Sequence, residues 1–180
     1  AAPPSRRPPR RLPMPPEAPA EFSRPLALGR VGPEGRTETL EATAAECAAL
    51  ARRLGIPAVD ALRATLRLTQ DPDGAVRAEG RLQAAVTQDC VVTLDPVPQR
   101  VDEVFALRFL PAGREPADGP DDLDEIATAD DIADLGDAVA EQLALALDPY
   151  PRAPGAELPA EARDAASGAF AALAALSRKA

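Results

Sequence analysis

Two runs of alternating residues on either side of one turn constrain this chain most. In residues 61–69, Leu62, Ala64, Leu66 and Leu68 point one way, while Arg63, Thr65, Arg67 and Thr69 point the other. Asp71-Pro72-Asp73-Gly74 is turn chemistry. Beyond it Val76, Ala78, Gly80, Leu82, Ala84 and Val86 alternate with Arg77, Glu79, Arg81 and Gln83. Period-two alternation flanking a Pro/Gly turn predicts a β-hairpin with one buried face and one wet face. The wet face gathers Arg63, Arg67, Arg77 and Arg81.

The hairpin sits within a predicted α+β domain. FSRPLALGRV, from Phe22, reads as a first strand, followed by a turn at Gly32-Pro33-Glu34-Gly35 and a short strand over 37–42. Thr43 and Glu46 have capping-box spacing, and Cys47, Leu50, Ala51 and Leu54 form one apolar helical stripe ended by Gly55 and Pro57. Cys47 on that stripe reads as a buried structural thiol. After Cys90 a turn is expected at Asp95-Pro96-Val97-Pro98. A strand over 101–110 then puts Phe105, Leu107 and Phe109 inward and Arg108 outward. Residues 111–131 read as a mobile acidic loop. Asp134 caps a helix through Leu147, with Leu135, Val139, Leu143 and Leu147 stepping by four. The expectation is an antiparallel sheet packed with two main helices. The main domain spans 21–153, after a basic Pro-rich tail (1–20) and before a tail with a short amphipathic helix (154–180).

Charge narrows the functional classes. The chain has 180 residues and net charge −9. Residues 111–148 hold one Arg against twelve acids, so nearly all the excess is local. The tail 1–20 is read as disordered. Its four arginines could touch phosphate, or 1–13 could be an upstream extension before a start at Met14. There is no histidine. That removes the commonest general base and metal ligand and argues against an enzyme, although carboxylate chemistry stays open. No apolar run reaches the roughly 20 residues of a membrane span, so a soluble, intracellular protein is expected. Cys47 and Cys90 lie 43 positions apart and should both be reduced.

Two stretches carry a family resemblance. Residues 84–98, AAVTQDCVVTLDPVP, bring a strand to Cys90 and then to Thr93, Leu94 and Pro96. Residues 134–151, DLGDAVAEQLALALDPYP, give Asp134-Leu135-Gly136, Glu141, and a finish at Pro149 and Pro151. With FSRPL before them and FAALAAL after, the order resembles YceD-type proteins of α-proteobacteria. Those proteins are linked to accumulation of large-subunit ribosomal RNA. The resemblance implies a non-enzymatic, cytoplasmic bacterial factor in ribosome assembly, with large-subunit rRNA or a pre-50S particle as partner. It also makes Cys90 a framework residue. Many relatives carry further cysteines where this chain has Thr93 and roughly Arg152-Ala153. No metal site and no cofactor are therefore expected.

Several readings of the candidate sites stay open. Arg63, Arg67, Arg77, Arg81 and Arg108 could bind RNA phosphates, or simply solvate a polar face and pair with Glu79. The acidic stretch 115–137 could contact a basic ribosomal protein, or be a self-repelling loop. Phe170, Leu173 and Leu176 could enter a partner's groove, or dock on this chain's own sheet or 135–147 helix. A protein-interaction adaptor unrelated to the ribosome is the alternative function.

Overall fold

The computed structural model describes residues 21–117 and 123–157. The expected tail 1–20 and the stripe at Phe170, Leu173 and Leu176 lie outside the described residues. The fold is α+β. Strand β1 is Pro25–Ala27, β2 Arg36–Glu41, β3 Ala58–Gln70, β4 Val76–Asp89, β5 Pro96–Leu110, β6 Asp124–Ala127 and β7 Ile132–Asp134. The helices are α1, Ala44–Leu54, and α2, Leu135–Ala146. One sheet has the order β2-β3-β4-β5-β6, and β1 pairs with β7 in a separate ribbon. Neighbours from β2 to β5 are antiparallel.

The β3–β4 hairpin forms in the register its alternation demands, with Leu66 opposite Gly80 and Leu62 opposite Ala84. All four inward residues of β3 and all six of β4 are buried. They join α1 and α2 in one core, whose fully enclosed members include Phe22, Leu50, Leu66, Leu82 and Leu143. Gly80 is required by close approach: a Cβ there would lie 2.5 Å from the tip of the Phe105 ring, its partner on β5. Both helices lie on this inner side of the sheet, so the outer side of β3–β5 stays open to water.

Both helix starts follow their caps. Thr43 Oγ1 accepts from the Glu46 amide at 3.3 Å while Glu46 Oε2 accepts from the Thr43 amide at 2.8 Å. The Asp134 carboxylate accepts from the amides of Gly136 (3.0 Å), Asp137 (3.2 Å) and Arg24 (2.7 Å). That ties α2 to the ribbon. Burial pushes the Asp134 carboxyl up, but these donors and the Ser23 hydroxyl outweigh it and hold the group below its ordinary value. Gly136 lets the turn close, because a Cβ there would collide with the Phe22 carbonyl.

Four expectations need correction. The first strand is only β1, followed by a 3₁₀ turn over Leu28–Arg30, and it pairs with β7. Arg24 leaves the strand pattern because its backbone and side chain are engaged by Asp134 and Glu46. The turn after Cys90 falls at residues 91–94, with Leu94 at φ 62°, and β5 already begins at Pro96. Prolines are tolerated there because β6 pairs only with 107–110 of β5, leaving the earlier part an edge with no partner beyond β4 among the described residues. The 111–131 segment is not all loop: β6 adds to the sheet parallel to β5. Finally, α2 ends at Ala146, and Leu147 is its C-cap.

Candidate nucleic-acid interface

The open face of the sheet carries the predicted arginines, and the register fixes their arrangement. Across the strands, Thr37, Arg67, Glu79 and Ala106 form one row, and Thr39, Thr65, Arg81 and Val104 the next. Glu41, Arg63, Gln83 and Asp102 form a third, and Arg77 stands between Thr69 and Arg108. Arg100, opposite Ala85, extends the surface toward the start of β5. The hairpin thus brings Arg63, Arg67, Arg77 and Arg81 onto one side, as its alternation predicts.

Their charges are not equally available. Arg81 grips Asp102 with two hydrogen bonds, at 2.6 and 2.7 Å, and the pair lowers the carboxyl's affinity for protons. Arg108 is the most committed. It meets Asp73 at 2.5 Å, Glu125 at 2.7 Å and Asp71 at 2.8 Å, with its side chain four-fifths covered. These carboxylates raise its already high pKa. Arg108, expected to offer an outward phosphate contact, has its donors on these carboxylates and fastens the hairpin turn to β6. Sequence could not show this, because Asp71 and Asp73 precede it by more than thirty residues. Arg67 spends one donor on the Glu34 carbonyl, at 2.6 Å. The side chains of Arg63, Arg77 and Arg100 have neither an ion pair nor a hydrogen bond among the described residues.

A shallow cleft of about 580 Å³ opens where the face ends, between Arg63 and Arg100, with Gln83 between them and Glu41, Asp60 and Asp102 along its sides. Arg100 was missed from sequence because residues 95–98 read as a turn, which hid the alternation of Arg100, Asp102 and Val104 on the outer side. None of the described aromatics is on this face: Phe22, Phe105 and Phe109 are buried, and Tyr150 follows α2.

The Cys90 region is a separate structure at the far end of β4. Cys90 is fully buried although it stands at a strand–turn junction. The Val91 amide donates to the Pro151 carbonyl at 2.9 Å, so residues 151–153 cover the thiol. The Ala153 amide donates to Cys90 Sγ at 3.3 Å, and with the Thr93 hydroxyl it outweighs burial and brings the thiol down to about 7. Cys47 behaves oppositely, burial pushing it up. Thr93 also accepts from the Asp95 amide at 3.4 Å, and Leu94 points into solvent. Among the described residues, no three His, Cys, Asp or Glu side chains are grouped to hold a metal ion. Glu141 and Pro149 are exposed, while Pro151 is buried.

The two stretches that carried the resemblance therefore meet in space, through the bonds from Val91 to Pro151 and from Ala153 to Cys90. Residues 78–176, more than half of the chain, match the family described as large ribosomal RNA subunit accumulation protein YceD. The chain belongs to that YceD family. The matched span takes in nearly all of β4, then β5, β6, β7 and α2, and continues past the described residues. It includes Arg81, Arg100 and Arg108 but begins after Arg63, Arg67 and Arg77. No curated protein and no solved structure matches the chain. No helix among the described residues is long and apolar enough to cross a membrane.

Proposed function

We propose that this YceD family member supports accumulation of large-subunit ribosomal RNA by binding, without catalysis, and that its open sheet face lies against the RNA backbone in the bacterial cytoplasm. The observation that carries this reading is the uncommitted state of Arg63, Arg77 and Arg100, with the remaining donors of Arg67, on one exposed surface. A guanidinium group can present two parallel N–H donors to a phosphate and is weakly hydrated, so it binds this ligand with little loss. Among the described residues this face offers no aromatic ring for base stacking, which suits it to reading backbone and shape. Arg81 and Arg108 leave the contact set, since their donors are occupied by carboxylates.

The test is binding of transcribed 23S-type rRNA segments across a range of salt. Neutralising a phosphate with each arginine predicts that Arg63→Glu/Arg77→Glu weakens binding evenly across sequences. It also flattens the log–log salt slope by about 2, roughly one per contact. Arg63 is exposed and Arg77 partly so, neither with a partner among the described residues, so the fold should keep its stability to within about 0.5 kcal/mol. Unchanged affinity and slope would remove the face from the mechanism.

A further inference from the structure

An apolar groove of about 540 Å³ lies at the opposite end of the molecule from the Arg108 cluster, between the C-terminal ends of α1 and α2. Leu54, Ile56, Val91, Leu145, Leu147 and Pro151 line it. Leu145 is 75% exposed and Val91 49%, although both stand beside a formed core. Tyr150, between two lining prolines, is 72% exposed. Large apolar side chains clustered in a concave surface mark a place where another segment lies.

Two further observations describe what that segment must offer. Gln88 lines the groove, is only 7% exposed, and gives its amide N–H to the Asp148 carbonyl at 3.0 Å. Its Oε1 has no donor among the described residues, so a buried acceptor faces an unmet cost of about 1–3 kcal/mol. Asp89 and Asp148 stand at the rim, both exposed and with no cation beside them among the described residues. The complementary segment therefore has an apolar stripe followed by basic donors.

We infer that residues 170–179 of this same chain fill the groove in cis, Phe170, Leu173 and Leu176 covering the exposed leucine face and Arg178-Lys179 reaching the acidic rim. Those residues lie outside the described part of the structure. Their spacing supplies an apolar stripe one turn apart, directly before two cations. The path is short: the chain leaves the groove at Pro151, and twelve residues separate Glu157 from Phe170, enough to span about 40 Å when extended. A tether of that length holds the stripe at an effective concentration near millimolar, so even a weak site stays filled. The family match points the same way, since it runs to residue 176 and so takes in the stripe. The inference does not depend on RNA binding.

Tyr150 provides the readout, being the one tyrosine of a chain without tryptophan. Acrylamide quenching of its fluorescence is measured on the full chain and on Phe170→Ser/Leu173→Ser/Leu176→Ser. The expected result is about a twofold rise in the quenching constant on substitution. Leu145→Glu, at an exposed position outside the core, should give the same rise, and the combined variant should give no more than either. Wild-type quenching should hold constant through a hundredfold dilution. Equal quenching of wild type and stripe variant would overturn the inference. Quenching that rises on dilution would also overturn it, assigning the groove to a second copy of the chain.

Discussion

Glu46 performs two tasks with one carboxylate, and its titration separates them. It closes the capping box of α1 and receives both ends of the Arg24 guanidinium, at 2.7 and 3.1 Å. Arg24 itself rests over the Phe22 ring, 4.6 Å from its centre. The Arg24 hydrogen bond, then the Thr43 amide, lower the Glu46 pKa from 4.5 to about 2. A lowered carboxyl pKa stabilises the fold above the ordinary value, and that contribution disappears as pH falls from about 4.5 toward 2. Glu46→Gln keeps a residue able to complete the capping box but removes the charge. The variant is therefore expected to be less stable than wild type at neutral pH, with the gap closing toward pH 2. Urea midpoints across that range check it, and a constant gap would show that the cap alone matters.

Two glycines set how closely elements approach, and their substitution should not cost the same. At Gly80 the obstacle is the ring tip of Phe105, which can turn aside, whereas at Gly136 it is the Phe22 backbone. Alanine favours a helix by about 1 kcal/mol over glycine, yet Gly136→Ala should still destabilise by roughly 3 kcal/mol, more than Gly80→Ala, as expected of overpacking. Denaturant midpoints of the two variants decide the order. Sequence disclosed the hairpin, α1 and α2 because their periodicity and caps are local, written within a dozen residues. It did not disclose β6 or the β1–β7 ribbon. A strand of three or four residues has too few alternations to read, and its pairing depends on distant partners. The arginine face was legible for the same local reason, while the removal of Arg81 and Arg108 from it was not. Asp102, Asp71, Asp73 and Glu125 reach those arginines only through tertiary pairing.

At the scale of the whole molecule, the acidic middle of the sequence is not simply a self-repelling loop. Glu125 enters the sheet and, with Asp71 and Asp73, surrounds Arg108, while Arg114 reaches Asp73 at 2.7 Å. Hydrogen bonds from Arg108 and Arg114 hold the Asp73 carboxyl well below the usual carboxylate range. Arg108→Gln leaves three carboxylates facing one another, so its melting temperature should drop. The deficit should shrink as added salt screens their repulsion. Thermal melts at low and high salt test this, and a salt-independent deficit would mean that lost packing dominates. The topology carries one more consequence. The strands from β2 to β5 follow one another in the sheet, so that meander can assemble while synthesis is still under way. Ser23 and Asp134, by contrast, lie 111 positions apart and meet only across the finished body. Bringing such distant positions together carries a larger entropic cost than closing a hairpin. Strand β1 therefore waits for its mate to emerge, and the clasp between them shuts only after the meander has formed.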